Sequence, residues 1–221
     1  MNIDKKYYQE INENLTNTIQ DTNISAPNKK VGKVRDAYFL NDKVVMISTD
    51  RQSAFDRVLA AIPYKGAVLN SVSAWWFKKT EHLFPNHLIS TPDPNVSIVE
   101  KCTVFPVEFV VRGYITGTTD TSLWTVYNNG DREYCGNSLP EGLKKNDRLD
   151  KPMLTPTTKD KVHDRPVSRE EIIDLGLMSA EDYDLAAKMS LDLFTFGQET
   201  AKKNGLILVD TKLSLIHISE P

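Results

Sequence analysis

The sequence predicts a mixed α+β fold, built as one large domain or as two small lobes. Three observations carry that reading. The chain has 221 residues, enough for either arrangement. Two β-rich blocks, VGKVRDAYFL with KVVMIST and later CTVFPVEFVVRGYITGT, are separated by a helical pattern over residues 67–82. The Pro-rich stretch Thr91–Asn95 lies between them and reads as a natural boundary.

Taken in order, residues 5–20 place Tyr8, Ile11, Leu15 and Ile19 at helical spacing, which predicts a short amphipathic helix. The polar stretch DTNISAPNKK follows as a loop, and two strands then turn at Asn41-Asp42. The polar cluster from Asp50 to Asp56 comes just past the second strand, where ligand-binding loops commonly sit. In the helix over 67–82, Leu69, Val72, Trp76 and Leu83 are expected to face inward. Its Trp75-Trp76-Phe77 cluster reads as core rather than as a base-stacking platform. Residues 128–160 read as loop. Ser168-Arg169-Glu170-Glu171 is a capping-box pattern opening a short helix that Gly176 closes. Ser179 caps a longer helix through Lys203, with Met189, Leu193 and Phe196 inward and Asn204-Gly205 as its stop. LILV is then a strand that runs into Asp210.

Composition excludes several classes. Lys and Arg number 27 against 30 Asp and Glu, so a general nucleic-acid binder is not indicated. Cys102 and Cys135 are too few for a disulfide scaffold and lack metal spacing. The absence of an apolar leader or a run of membrane-spanning length predicts a soluble cytoplasmic protein. His163-Asp164 has no clustered thiols to make a zinc site, and a Gly-x-Ser-x-Gly elbow is missing.

Three constellations can carry chemistry. On a strand of period two, Glu108, Val110 and Arg112 share one face. Opposite charges on an apolar strand either pair with each other or hold a polar ligand, and the following Gly113, Thr116, Gly117 and Thr118 favour the ligand. Gly32-Lys33-Val34-Arg35-Asp36 is not a Walker A loop. On strand geometry, Lys33 and Arg35 face one way and can meet a triphosphate, or simply form a solvated basic face. Asp210, just beyond an apolar strand, suits a magnesium ligand or a turn cap, and Lys212 points to the same side.

In order along the chain, GKVRD, STDRQSAFD, FPVEFVVRGYITGT, TPTTKDKVHD and LILVDTK resemble the SAICAR synthetase family from about Val31 to Lys212. The resemblance implies a two-lobed α+β fold related to ATP-grasp enzymes, with ATP between the lobes. It implies an ATP-dependent ligase that joins L-aspartate to carboxyaminoimidazole ribonucleotide (CAIR) through an acyl phosphate, with ATP and Mg2+ required. By motif match, Gly32, Lys33 and Arg35 would contact ATP phosphates. Asp56, Arg112 and Thr118 would bind the ribonucleotide, with Arg112 and Thr118 toward the 5′-phosphate; Glu108 would help build that site and Asp164 would lie near the substrates. Asp210 would bind magnesium and Lys212 would be a site lysine; a contact from Lys159 or Lys161 stays open. Small molecules are the expected partners, with no nucleic acid and no membrane; the resemblance leaves the oligomeric state open. A small-molecule kinase and a non-catalytic nucleotide-binding module are the rival readings.

The implied organisation is an N-terminal helix and loop at 1–30, a nucleotide-binding lobe at 31–100 and a central lobe at 101–212. Residues 213–221 depart from the pattern. The family strand continues Asp-x-Lys-x-Glu-Phe-Gly, whereas this chain has Ser214 at the second acid and then reads LSLIHISEP, which resembles adapter-derived sequence. The expectation is that 213–221 are foreign, that the native protein continues past Lys212, and that this chain is inactive or poorly folded.

Overall fold

The computed structural model describes residues 5–26, 28–54, 57–159 and 164–217. The chain divides into two compact units, Met1–Cys102 and Thr103–Pro221.

Unit 1 begins with α1 (Lys5–Glu13), shorter than the helix expected over 5–20. The helix ends where Asn14 bonds back through its side chain to the Glu10 carbonyl, a local competition that favours turns. Its apolar stripe is not buried: Tyr8 and Leu15 are exposed. A five-stranded antiparallel sheet follows, built from β1 (Lys29–Val31), β2 (Arg35–Phe39) and β3 (Lys43–Ser48). β4 (Arg51–Ala54) and β5 (Arg57–Ala61) form a separate hairpin, so the polar cluster expected as a loop is largely strand. After α2 (Lys65–Thr80), β6 (Leu88–Asp93) and β7 (Val96–Glu100) complete the sheet in the order β1-β2-β3-β7-β6. The TPDPN segment is therefore the hairpin between β6 and β7 rather than a boundary. Asp93 closes it by accepting a hydrogen bond from the Asn95 amide at 2.9 Å.

α2 packs against β3 and β7 through an unexpected face. Leu69, Val72 and Trp75 are exposed, while Gly66 and Asn70 are buried. Asn70 donates to the Pro94 carbonyl at 3.0 Å, and Ser97 Oγ donates to its Oδ1 at 2.7 Å. Gly66 permits the approach, because a Cβ there would stand 2.2 Å from the Ser48 carbonyl oxygen. The packed face is thus small and polar, which an apolar-periodicity argument does not find. The Trp75-Trp76 pair is an edge-to-face contact at the helix surface, with Trp75 outside the core.

Unit 2 is organised by β8 (Thr103–Tyr114). After it come α3 (Leu123–Asn128), the short pair β9 (Glu133–Tyr134) and β10 (Asn137–Ser138), then β11 (Arg148–Leu154) and β12 (Thr157–Thr158). The stretch 128–160 is therefore not all loop. Its main strand, β11, pairs with β8 across an irregular register, and Asp150, Lys151 and Pro152 obscure its alternation. Ser168 caps α4 (Arg169–Asp174) in a complete capping box, and Ser179 caps α5 (Ala180–Lys203), both as expected. β13 (Asp210–His217) pairs antiparallel with β8. LILV is not a strand: Leu206 and Ile207 are exposed, and β13 begins at Asp210, just after the Val209 carbonyl accepts from the Gly113 amide at 2.9 Å. Leu213 and Leu215, in the stretch set apart by its sequence, lie on β13 and pack beside the core.

That core joins Val107 and Phe109 of β8 to Val167, Ile172, Met178, Tyr183 and Ala186. A second cluster gathers Ile115, Leu123, Tyr127, Tyr134, Leu139 and Leu149. The inward line of α5 is Tyr183, Ala186, Ser190, Phe194 and Gly197, one position off the expected line of Met189, Leu193 and Phe196. Gly113 sets this phase: a Cβ there would lie 3.2 Å from the Phe194 ring.

Two outcomes follow for unit 1. Gly66→Ala is expected to destabilise it by about 2–3 kcal/mol, since the added carbon meets backbone that has no room to yield; urea unfolding at unchanged midpoint would contradict this packing. His87 stands edge-on to Phe77, and burial, helped by the Arg35 charge, holds its pKa below the ordinary imidazole value. A base with a depressed folded pKa gives stability that is complete above the unfolded value of about 6.5 and is lost as pH falls below it. Stability should therefore decline from pH 7 to 5, and His87→Gln should flatten that decline.

Candidate functional site

In unit 1 the sequence-predicted nucleotide residues cluster at the β1–β2 turn. Gly32 and Lys33 lie in the turn, not on a strand, and Arg35 is the first residue of β2. The common strand face expected for Lys33 and Arg35 is therefore absent, although both side chains are exposed. The Gly32 amide donates to the Arg35 carbonyl at 2.8 Å, and a Cβ on Gly32 would crowd that oxygen.

Beneath the turn lies a buried polar network. Asp36 is fully buried, and Arg51, 8% exposed, meets its Oδ1 at 2.6 Å. Thr22 Oγ1 donates to Asp36 Oδ2 at 2.7 Å, and Lys29 Nζ lies 3.2 Å from the same oxygen. Burial pushes the Asp36 carboxyl up, but hydrogen bonds from Arg51, Thr22 and Lys29 outweigh it and hold the group below its ordinary range. Asp50, also buried, accepts from the Ile19 and Gly66 amides at 2.8 and 2.9 Å, tying the N-terminal segment to the start of α2. Asp36, Asp50 and Arg51 of the GKVRD and STDRQSAFD motifs thus hold the scaffold together. Asp56, expected at the ribonucleotide, lies outside the described residues, as do Lys161 and His163.

In unit 2 strand alternation places Val107, Phe109 and Val111 against the core and Glu108, Val110 and Arg112 on the opposite face, as expected. β13 brings its own charges to that face by register: Asp210 lies opposite Arg112, Lys212 opposite Val110, and Ser214 opposite Glu108. Arg112 Nη1 is 3.9 Å from Asp210 Oδ2. Lys212 Nζ forms an ion pair with Glu108 Oε2 and donates to Asp164 Oδ2 at 2.8 Å. Lys159 Nζ is 3.9 Å from Glu108 Oε1 and donates to Ser214 Oγ. Burial pulls the Lys159 pKa down, partly opposed by the Asp164 charge.

The structure therefore joins Glu108, Arg112, Asp164, Asp210 and Lys212, and adds Lys159. Thr118 stays outside this network, exposed on the loop after β8. That loop turns at Gly117, whose φ of +109° and contact with Ser122 exclude a side chain. Sequence reasoning missed Thr155. This residue is buried, accepts from Arg112 Nε at 2.9 Å and fixes the guanidinium plane, leaving its Nη edge toward Asp210. The TPTTKD motif contained the residue, but only the β8–β11 pairing shows its partner.

Such a face can bind anions through Arg112, Lys159 and Lys212 while keeping carboxylates nearby. Among the described residues, no group of three or more His, Cys, Asp or Glu is placed to hold a metal ion. Asp210, half-exposed and only loosely paired with Arg112, fits one carboxylate ligand of a phosphate-borne Mg2+, an ion that usually keeps several waters.

The SAICAR synthetase family profile matches residues 28–217. A phosphoribosylaminoimidazole-succinocarboxamide synthase of Legionella pneumophila (strain Lens) is 57% identical over 194 residues, covering 88% of this chain and 62% of its own length. A chloroplastic counterpart from Vigna aconitifolia is 55% identical over 203 residues, covering 90% of this chain and 60% of its own length. This chain thus spans less than two thirds of the length of these two relatives. Among solved structures, a SAICAR synthase from Saccharomyces cerevisiae complexed with SAICAR superimposes with a TM-score of 0.76 at 29% identity, covering 89% of this chain and 71% of that one. A type-2 SAICAR synthetase in complex with ADP gives a TM-score of 0.69 at 25% identity, over 85% of this chain and 74% of the other. The mixed α/β fold, the ordered motifs and the extent of these matches lead to one conclusion: the chain belongs to the SAICAR synthetase family.

Proposed function

We propose that the chain carries the chemistry of an ATP-dependent carbon–nitrogen ligase of de novo purine biosynthesis. It would join L-aspartate to CAIR, giving SAICAR, ADP and phosphate. The observation that carries this reading is the charged face of the unit 2 sheet, where Glu108, Arg112, Asp164, Asp210 and Lys212 gather in a chain of this family. The SAICAR and ADP in the complexes of its relatives support the substrate classes.

The reaction needs activation, because a carboxylate repels nucleophiles and its oxygen is a poor leaving group. In the first step a CAIR carboxylate oxygen attacks the γ-phosphorus of ATP and ADP departs, leaving an acyl phosphate. In the second, the aspartate amine attacks the acyl carbon and phosphate departs. Both steps develop charge on phosphoryl oxygens. Gly32, Lys33 and Arg35 would meet the nucleotide phosphates. Arg112, oriented by Thr155, and Thr118 would hold the ribonucleotide 5′-phosphate, with Asp56, Glu108 and Asp164 completing its site. Lys212 and Lys159 would face transferring oxygens, and opening of the Lys212–Glu108 ion pair would free an ammonium for them. Mg2+ held with the nucleotide by Asp210 would neutralise phosphate charge.

Ser214 occupies the position of the family's second acid and supports the alternative of a non-catalytic nucleotide-binding module. We further propose a relationship to ATP-grasp enzymes, a foreign origin for 213–221 and a cytoplasmic setting. Among the described residues, no helix is long and apolar enough to cross a membrane.

The test is ADP release with ATP, Mg2+, CAIR and L-aspartate. Sustained release over many turnovers should require both CAIR and aspartate. Sustained release without aspartate would indicate a kinase, and binding without release a non-catalytic module. Arg112→Ala is expected to weaken CAIR binding about tenfold or more, the loss of a charge-assisted contact, with ATP binding nearly unchanged. Equal loss of both would assign Arg112 to a structural pair with Asp210.

A further inference from the structure

Arg51 has no role in the proposal above, yet it is one of the most heavily engaged side chains in unit 1. Its guanidinium sits beneath the β1–β2 turn and reaches four acceptors. Nη1 donates to the Gln20 carbonyl at 2.6 Å, and Nη2 donates to the Gly32 carbonyl at 3.0 Å and to Asp36 Oδ1 at 2.6 Å. Nε donates to the Lys33 carbonyl at 3.2 Å. Thr49 takes the next carbonyl, that of Val34, through its amide at 3.0 Å and its hydroxyl at 2.9 Å. Three successive carbonyls of the turn are thus drawn inward.

In a trans peptide the N–H points opposite to the C=O. With the Gly32 and Lys33 carbonyls held against Arg51, the Lys33 and Val34 amides point away from it. A turn shaped this way presents an edge of N–H dipoles, the arrangement that receives phosphate oxygens. We infer that Arg51 is a positioning residue for nucleotide binding: it fixes the Gly32–Lys33 turn in the shape that meets the phosphates. The inference rests on the reading that this turn contacts ATP.

Two features separate this role from that of a simple buried ion pair. Asp36 alone would neutralise the charge, but three of the four acceptors are backbone carbonyls, two of them in the turn. Only a guanidinium offers a planar set of donors wide enough to reach them all; an ammonium is a point donor. Arg51 is buried and its donors are engaged by these four acceptors, so its effect passes through the turn.

The test uses the full chain and two ligands, the imido analogue of ATP with Mg2+ and, separately, CAIR, with binding followed by calorimetry. Arg51→Lys keeps a cation beside Asp36 but removes the fork. It is expected to weaken the nucleotide analogue about tenfold, to leave CAIR within about twofold, and to speed hydrogen exchange at the Lys33 and Val34 amides more than in β3. If Arg51→Lys does not fold, the double variant Asp36→Asn with Arg51→Gln removes both charges together and should give the same selective loss. Lys33→Ala serves as the reference for loss of the nucleotide contact itself. Full nucleotide affinity in either Arg51 variant, while Lys33→Ala loses it, would overturn the positioning role. Equal weakening of both ligands by the Arg51 variants would also overturn it. If Lys33→Ala also keeps full affinity, the reading of the turn as an ATP contact fails, and the inference fails with it.

Discussion

The alternation of β8 is the constraint on which unit 2 depends. β8 is paired along both edges, to β13 on one and to β11 and β12 on the other, so it is not free to rotate about its axis. Its odd-numbered residues Val107, Phe109 and Val111 fill the space beneath α4 and α5, and its even-numbered Glu108 and Arg112 are forced to the other face. A slip of one residue would drive both charges into an apolar core. The cost of burying an unpaired charge, several kcal/mol after relaxation, makes that alternative inaccessible. The strand that builds the core therefore also dictates where the charged groups stand.

β13 completes the arrangement by register rather than by local sequence. Asp210 and Lys212 come from a different part of the chain, yet antiparallel pairing sets Asp210 against Arg112 and keeps Lys212 on the same face. The resulting ion pairs span β8, β13 and the segment at Asp164. Lys212 is shared between two carboxylates, so the face is nearly neutral overall while presenting strong local charges. That balance lets phosphates compete for the cations without an excess of positive charge.

Unit 1 solves a different problem with a buried network. Arg51 and Asp36 satisfy each other, and the remaining donors of Arg51 go to two carbonyls of the turn and to that of Gln20. Asp50 does the converse, accepting the amides of Ile19 and Gly66. Polar groups here do what a larger apolar core would do elsewhere, and they specify turn geometry more sharply than apolar contacts can.

Much of this was legible in the sequence where a single rule dominates. Serine followed three residues later by an acid marked the start of α4, and period-two apolar residues marked β8 and the face carrying Glu108 and Arg112. The reading failed where tertiary contacts override the local pattern. α5 turns its Gly197 and Ser190 inward rather than Met189 and Phe196, because its packing depends on close approach. LILV looks like a strand, yet only its last residue, Val209, bonds to β8, and the strand register begins at Asp210. Lys33 lies in a turn and not on a strand, and nothing local reveals that Arg51, far along the chain, holds the Gly32 carbonyl there. Thr155 could not be found at all without knowing that β11 leads its segment back beside β8.

The proposed ribonucleotide site is the charged face of β8 and β13. It is tested most directly by titrating the isotopically labelled chain with CAIR and following backbone amide resonances by NMR. The account requires shifts at Glu108, Arg112, Thr155, Asp210 and Lys212, with Tyr183 and Phe194 beneath the opposite face little changed. Shifts confined to the helical face, or saturation by CAIR without change along β8 and β13, would contradict it.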